Sequence, residues 1–394
     1  MDVMVKNCCG LDVHQKTVVA CTLVGDLSTN RPKKKSKTFG TRTFELKELA
    51  LWLKEQHITT VLMESTGQYW RPVWTILEKE FKLILANPQR IKGIAGRKTD
   101  QKDAEWIAEL GRMGLIASSY VPPIETQELR GLTRTRTSLK QEVTQHKNRI
   151  HNILQQANIK LTSFLSDIYG KTGRALIDLL INGEKVTEER ITPIVNQRVK
   201  ASLTDLVESM DGVFSKTHLI ELGVHFKLID CLEEQIDILS SEIRKKIEPH
   251  QELIDRLMTI PGINQGTVEI VLAEVGPTVD SFETVKHLAS WTGICPGSYE
   301  SGGIRKGARV TKGNKYLKTA LYHSGRTAGH SKSEIFSSFF QRIANRGSKQ
   351  KAVIATAHKI LRVIYKTMER YSEEQEIKTL KKKSYTKTLD QVFV

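Results

Sequence analysis

The amino-acid sequence predicts an α/β domain followed by a longer, mainly helical region. Over roughly residues 1–120, short apolar runs alternate with amphipathic stretches, which is typical of a sheet covered by helices. Val121-Pro122-Pro123 interrupts that alternation and marks a boundary. Beyond it, apolar residues recur at helical spacing over most of the chain. A length of 394 residues favours two or three domains rather than one.

The first domain opens with two predicted strands in residues 5–24, around a polar stretch at residues 12–16. Residues 31–42 contain six Lys or Arg residues and no acid, and we predict a basic loop there. The elements predicted after this loop are a helix at 44–56, a buried strand at 58–65, a helix with Pro72 in its first turn, a buried strand at FKLILANP, a second basic loop and a helix starting near Asp100.

Two stretches of the helical region come close to heptad spacing, which predicts an antiparallel coiled-coil arm. One heptad position of the first stretch is Leu129, Arg136, Val143 and Ile150, and another is Leu132, Leu139, His146 and Ile153. The second stretch has Leu228, Leu232, Ile236, Leu239, Ile243 and Ile247. Farther on, Ile260-Pro261-Gly262-Ile263 separates two predicted helices. This turn resembles a helix-hairpin-helix element that presents backbone N–H groups to phosphate, and a plain structural turn is the alternative.

The predicted domains are an α/β domain, a helical connector, a mainly α C-terminal domain and a basic, mobile tail. Their predicted limits are 1–120, 121–252, 253–370 and 371–394.

Net charge is the strongest signal in the composition. The chain has 60 Lys and Arg against 44 Asp and Glu, a net charge of +16, which is typical of proteins that act on polyanions. Five irregularly spaced cysteines without a Cys-x-x-Cys pair argue against a disulfide framework or a zinc ribbon. No apolar run approaches the ~20 residues that cross a bilayer, and residues 2–14 are too polar for a signal peptide. We therefore expect a soluble, cytoplasmic protein without a membrane partner.

Four carboxylates lie where α/β sheets build active sites. Asp12 falls where the first β-run becomes polar, and Glu64 ends the apolar run VLME. Asp100 and Asp103 stand three residues apart at a helix start and share one face. Ligands bind at strand ends in open α/β sheets, and several carboxylates can hold Mg²⁺ or Mn²⁺. The alternative is that each acid is separately structural, with Asp100 as a helix cap and Glu64 as a surface charge.

The segments around these acids, GLDVHQK, MESTG and RKTDQKDAEWIAEL, resemble the three acidic motifs of the DEDD transposases of bacterial insertion sequences. The run WTGICPGSYESGGIRKGARVTKGNKYLKTALYHSG resembles the second catalytic domain of that family. The middle of the chain resembles the family's helical connector only weakly. The resemblance implies an N-terminal RuvC-like domain of the ribonuclease H type and the activity of a bacterial DNA transposase or site-specific recombinase.

The resemblance also implies residue roles. The four metal-binding acids of the family match Asp12, Glu64, Asp100 and Asp103, with Mg²⁺ or Mn²⁺ as the cofactor, and its nucleophilic serine matches Ser301. A covalent serine–DNA bond retains the phosphodiester energy, so rejoining needs no ATP. From the residues alone, a Gly-rich loop that only grips DNA is the better explanation of Ser301, because Ser-Gly-Gly is a common loop sequence, and Ser298 is a nearby competitor.

Basic segments accompany both predicted sites. Residues 301–350 contain eleven Lys or Arg and one acid, an imbalance that phosphate contact explains. Because members of the family are guided by a structured RNA, the expected partners are DNA (element ends and target), a guide RNA and further copies of the chain in a dimer or tetramer. We predict that residues 31–42 and 130–151 contact RNA and that 301–350 contact DNA. The predicted nucleic-acid-binding residues are Lys33, Lys34, Lys35, Lys37, Arg305, Lys306, Arg309 and Lys312.

Three other functions stay open. A ribonuclease H-like junction nuclease would hydrolyse DNA with metal-activated water and would need the acids but not Ser301. A non-catalytic DNA- or RNA-binding protein would tolerate loss of the acids. The sequence is also compatible with a DNA invertase of the same family. The sequence assigns no role to His14, His146 or His151, and it predicts Cys8, Cys9 and Cys21 to be core residues.

Overall fold

The computed structural model describes residues 4–29, 31–65, 67–87, 99–116, 118–297, 299–302, 304–307 and 310–392. The chain divides into two compact units, Met1–Val121 and Pro122–Val394. The first is a mixed α/β unit and the second is mainly helical, which agrees with the predicted fold class at this level.

The first unit is built on a sheet whose described strands have the order β3-β2-β1-β4-β5. These strands are β1 (Asn7–Val13), β2 (Thr17–Val24), β3 (Lys33–Gly40), β4 (Thr60–Glu64) and β5 (Lys82–Ala86). Strand β2 pairs antiparallel with β1 and β3, whereas β1, β4 and β5 are mutually parallel. The carboxyl ends of β1, β3, β4 and β5 therefore lie at one edge of the sheet.

Helices cover both faces of this sheet. On one face, α1 (Thr43–Glu55) and α2 (Trp70–Leu77) pack Leu46, Leu49, Val73 and Leu77 against Leu11 and Met63. On the other, α3 (Asp100–Arg112) packs Ile107 and Ala108 against Cys8 and Leu62. Burial on both faces explains why β1 and β4 read as continuous apolar runs. The prediction of three core cysteines is confirmed, since Cys8, Cys9 and Cys21 are all buried, and Pro72 lies in the first turn of α2.

The predicted basic loop at residues 31–42 is wrong for most of its length, because β3 occupies residues 33–40. Its register with β2 runs from Lys33 opposite Val24 to Gly40 opposite Thr17. Phe39 is buried, while the four lysines of the strand are exposed. An edge strand tolerates this composition because charged side chains at a sheet edge discourage pairing with another chain. The second predicted basic loop falls on residues 88–98, outside the described residues.

The second unit is dominated by two long helices, α4 (Ile124–Gln156) and α9 (Lys216–Ile247). Four short helices and their loops fill the segment between them with a shared apolar core. These helices are α5 (Leu161–Phe164), α6 (Lys171–Ile181), α7 (Glu188–Ile191) and α8 (Leu203–Ser209). A 3-10 turn at Glu248–His250 follows α9. The remaining described α-helices and strands are α10 (Gln251–Met258), α11 (Gln265–Glu274), α12 (Val285–Thr292), β6 (Tyr299–Ser301), β7 (Ile304–Gly307), α13 (Lys315–Gly329), α14 (Glu334–Arg346) and α15 (Lys349–Val392).

Helices α4 and α9 pack antiparallel. Near one end Lys246 Nζ lies 2.6 Å from Glu128, and farther along His146 Nδ1 lies 3.0 Å from His225 Nδ1. The predicted heptad position Leu129, Arg136, Val143 and Ile150 is buried throughout. The second heptad position is only partly buried, since Leu132 and Leu139 are half-exposed.

The predicted seam of α9 is wrong at Leu228, which is 41% exposed. Leu222, Phe226 and Ile229 form the buried stripe there instead. The error has a simple cause, because this part of α9 also has Ile220 and Val224 on its exposed side. Spacing alone does not show which of two apolar stripes faces the partner helix.

The Ile260-Pro261-Gly262-Ile263 turn joins α10 to α11, as the sequence predicts. Gly262 has φ +85°, and a Cβ there would meet the carbonyl oxygen of Ser324 and the side chain of Ala328 in α13. The turn therefore packs against α13, which favours the structural alternative over an open phosphate-binding turn.

Residues 371–392 of the predicted mobile tail are helical, because α15 extends to Val392. Ion pairs with α10 explain why the helix does not stop at residue 370. Arg256 lies 2.6 Å from Glu374, and Glu252 accepts from Gln375 and lies 3.4 Å from Lys378. Among the described helices, none is both long and apolar enough to cross a membrane.

The α4–α9 helix pair should lose stability as the pH falls. Burial, together with His146 and Arg149, lowers the pKa of His225, and Glu221 opposes this shift. The unfolded chain therefore binds a proton more readily, so the contribution of His225 to stability is complete above about pH 6.5 and is lost at lower pH. We expect the urea unfolding midpoint to drop between about pH 7.5 and pH 5, and His225→Gln to reduce that drop. His151→Gln removes an exposed histidine of α4 and should leave the drop unchanged.

Candidate active site

Asp12 and Glu64 lie side by side at the carboxyl edge of the sheet. Strands β1 and β4 pair from Cys8 opposite Thr60 to Leu11 opposite Met63, and the next residues on the two strands are Asp12 and Glu64. Since Leu11 and Met63 face α1 and α2, alternation places both acids on the α3 face.

Helix α3 reaches the same edge because it packs very closely on β1. A Cβ at Gly10 would overlap the carbonyl oxygen of Ala104 and the backbone of Ala108, so only glycine permits this approach. The first turn of α3 brings Asp100 and Asp103 to Asp12. The side chain of Thr99 accepts from Lys102 N at 3.4 Å and is the N-cap. Asp100 is therefore not the helix cap that the structural alternative required.

His14 joins the acids, although no sequence pattern predicts a role for it. Its Nε2 lies 3.0 Å from Asp12 Oδ2 and 3.7 Å from Asp100 Oδ1. One ligand atom from each of Asp12, His14 and Asp100 falls within 4.8 Å of the other two. The sequence signal for His14 was its position two residues after Asp12, because residues two apart in an extended segment share a face. That spacing is too common to identify a site without the third partner on α3.

The electrostatics of the cluster favour a bound cation. Burial raises the pKa of Asp12, His14 opposes this, and the negative charges of Asp100 and Asp103 raise it further. Asp103 and Glu64 are half-buried and Asp100 is exposed, so the cluster opens to solvent on the α3 side. A donor set made mostly of carboxylate oxygens suits Mg²⁺ or Mn²⁺ rather than a thiophilic metal.

The predicted nucleophile lies in the second unit, at the end of a short hairpin. Strand β6 pairs antiparallel with β7, with Ser301 opposite Ile304 and Glu300 opposite Arg305. Gly302, which follows β6, has φ +61°, a backbone conformation that favours glycine. Lys306 lies on β7 and Lys312 is exposed beyond it. Ser298 and Arg309 lie outside the described residues.

The four predicted lysines of β3 differ in their surroundings. Lys34 Nζ lies 2.6 Å from Glu105 of α3, on the face that also carries the acids. Lys33, Lys35 and Lys37 alternate onto the other face, and Lys37 Nζ stands 4.8 Å above the ring of Phe39.

Two family models match the chain. One, described as a transposase of the DEDD type of IS110, matches residues 9–159, and the other, described as the transposase IS116/IS110/IS902 family, matches residues 254–341. The chain belongs to the IS110 family of transposases. It is a DNA transposase or recombinase, and the first match contains all four acids while the second contains the Ser301 hairpin. Membership of a DEDD family also suggests that the transposase uses a divalent metal.

Relatives that align with more than half of the chain support the assignment. The chain is 24% identical to a pilin gene-inverting protein of Moraxella bovis over 379 residues, which covers 92% of this chain and 95% of the relative. A pilin gene-inverting protein of Moraxella lacunata is 25% identical with the same coverage. An uncharacterized protein of insertion element IS110 from Streptomyces coelicolor is 28% identical over 58% of this chain and 60% of its own length.

Gly10→Ala should destabilise the transposase by about 1–3 kcal/mol, because the added methyl group forces α3 away from β1. Gly131→Ala is the matched control, since Gly131 lies in α4 and a Cβ there meets nothing within 4 Å. That control should be stabilising by roughly 0.5–1 kcal/mol through helix propensity. Urea unfolding of the two proteins makes the comparison, and a Gly10→Ala protein as stable as wild type would contradict the packing argument.

Proposed function

We propose that this transposase cuts and rejoins DNA by phosphoryl transfer that uses divalent metal at Asp12, Glu64, Asp100 and Asp103 and a covalent bond to Ser301. The observation that carries the proposal is the meeting of Asp12, Asp100 and His14 at the carboxyl edge of the sheet. The strand order β3-β2-β1-β4-β5, with an antiparallel first half and helices on both faces, supports a RuvC-like domain of the ribonuclease H type.

The acids have a defined task in this scheme. Divalent ions held by their oxygens would stabilise the negative charge that develops on the phosphoryl group. Asp12 and Glu64 supply oxygens from rigid strand ends, and Asp100 and Asp103 supply them from one helix face. His14 orients Asp12 by hydrogen bonding to Oδ2 at 3.0 Å.

The serine step balances without an external energy source. Ser301 Oγ attacks the phosphorus, a serine–phosphate ester forms, and one ester oxygen of the DNA strand leaves as a hydroxyl that takes up the serine proton. In the second step the hydroxyl of another strand attacks the same phosphorus and releases the serine. One phosphodiester is exchanged for another, so ATP is not consumed. Gly302 and the basic residues of β7 and its flank suit close approach of a phosphate backbone.

The assay for this proposal is recombination of labelled DNA carrying the element's own ends. Wild type should give joined product and, on a denaturing gel, a protein–DNA adduct. Ser301→Ala should give neither, and Asp100→Asn should abolish strand cleavage while leaving DNA affinity within about twofold. Cleavage by Ser301→Ala without an adduct would instead support a nuclease that uses activated water. An adduct of normal yield from Ser301→Ala would move the role to another residue such as Ser298.

The same variants test whether several copies of the chain cooperate. Recombination needs several strand cuts, and each chain offers one acid cluster and one Ser301. We propose a homo-oligomer for this reason. Mixing Asp12→Ala with Ser301→Ala should restore product if one copy can use the acids of another, whereas a mixture that stays inactive would favour sites complete within one chain.

DNA inversion is a second candidate function. It is favoured by the two pilin gene-inverting relatives, each of which aligns with 92% of this chain. Substrates with two sites in inverted or direct orientation distinguish the functions, because an invertase acts on the inverted pair and leaves the intervening DNA in place.

We also propose that a guide RNA binds along β3. The lysines of this strand support the proposal better than the arginines near the start of α4, because those arginines contact internal carboxylates. Arg134 and Arg130 contact Glu274, and Arg136 contacts the buried Glu269. The RNA-binding surface proposed here therefore consists of Lys33, Lys35 and Lys37, all exposed on an edge strand.

Replacing Lys33, Lys35 and Lys37 with Gln should weaken binding of the element's RNA and reduce the slope of log K against log salt by about 2, since each phosphate contact contributes roughly 0.7. Replacing Lys171, Lys185 and Lys200, which are also exposed, makes the same change in charge and should leave the slope intact. Wild-type protein that binds an unrelated RNA of equal length equally well at physiological salt would contradict guidance by RNA.

A further inference from the structure

Glu274 is a carboxylate buried within the second unit. It is the last residue of α11 and is 1% exposed. Arg134 of α4 holds it with two parallel hydrogen bonds, Nε to Oε1 and Nη2 to Oε2, each 2.8 Å long. Arg130 Nε lies 3.1 Å from Oε2. Paired, charge-assisted contacts of this kind fix the orientation of a carboxylate more firmly than a neutral hydrogen bond does.

Asn314 uses this carboxylate as an anchor. Its Nδ2 donates to Glu274 Oε2 at 2.6 Å. Its Oδ1 accepts from Tyr316 N and Leu317 N, both at 3.0 Å, and thereby caps α13. Both the NH₂ group and the carbonyl oxygen of the Asn314 side chain are therefore hydrogen-bonded. The start of α13 is thereby linked to α4 through Glu274.

The same residue closes the base of the segment that carries the Ser301 hairpin. Asn314 N donates to Trp291 O of α12 at 3.0 Å, and Thr311 N donates to Cys295 O at 3.2 Å. Pro296 and Val310 form an isolated antiparallel bridge. Gly293 has φ +79°, and a Cβ there would lie 2.8 Å from Gly313 N. The segment that leads into the hairpin and the segment that leaves it are thus hydrogen-bonded to each other and to the end of α12.

We infer that Glu274 and Asn314 are positioning residues that orient the Ser301 hairpin for attack on DNA. A two-stranded ribbon is marginally stable alone, so its direction depends on how its base is held. A displacement of about 1 Å at a reacting atom can lower a rate by ~10²-fold. The inference rests on the proposed function, because it takes Ser301 as the nucleophile.

Asn314→Ser tests this without removing the helix cap. Serine caps a helix about as well as asparagine, but its side chain is too short to contact Glu274 and cap α13 at once. We expect the rate of adduct formation at saturating DNA to fall at least tenfold, with DNA affinity and melting temperature close to wild type. Asn264→Ser is the matched control, because Asn264 caps α11 through Thr267 N at 2.9 Å. It should leave the adduct rate unchanged.

Reversing the direction of the hydrogen bond between Asn314 and Glu274 tests whether these two residues act through direct contact. Asn314→Asp keeps a capping oxygen but sets two carboxylates against each other, so adduct formation should be lost. Glu274→Gln added to it restores a donor and an acceptor with their direction exchanged and should recover part of the rate. A wild-type rate in Asn314→Ser, or a double variant no faster than Asn314→Asp, would overturn the inference alone. No adduct from wild type would overturn the proposed function as well.

Discussion

The close packing of α3 on β1 is the contact on which the candidate active site depends. Gly10 of β1 admits the backbone of α3, and Gly111 of α3 admits the side chain of Leu62 from the neighbouring strand β4. The apolar residues around them, including Ile107 and Ala108, are buried. This packing brings Asp100 to Asp12 despite their mutual repulsion. Burial raises the pKa of Asp12, His14 opposes this, and the charges of Asp100 and Asp103 raise it further. The core thus supplies the free energy that holds like charges together.

Buried ion pairs constrain how the helices of the second unit pack on one another. Arg136 occupies a heptad position of α4 that apolar residues fill elsewhere, and it pairs with the buried Glu269. Such a pair adds little net stability, because desolvation offsets the attraction, but loss of one partner costs about 3–5 kcal/mol. Any shift of α4 along α11 would leave a charge buried and unpaired. These pairs therefore fix the register of α4 on α11 more than they raise stability.

Features that depend on the local pattern of apolar and polar residues could be predicted from the sequence. Buried strands, helix starts and the acids at their ends follow from apolar runs and their polar limits, as at Asp12 and Glu64. Features that depend on a distant partner could not be predicted. Strand β3 was missed because its lysines hide the alternation and only pairing with β2 defines it, and Leu228 was misplaced because α9 has two apolar stripes. His14 gains a role only when α3 brings Asp100 beside it.

The count of 60 Lys and Arg residues overstates the basic surface available to nucleic acid, because the fold pairs some of them with carboxylates. Arg130, Arg134 and Arg136 contact carboxylates within the second unit, and Lys34 contacts Glu105. The lysines left exposed on β3 lie on a sheet edge, where charge also prevents pairing with another chain. One strand can therefore meet two requirements at once. Variants that lack these lysines should therefore be assayed both for nucleic-acid affinity and for self-association. Only the affinity measurement reports on nucleic-acid binding.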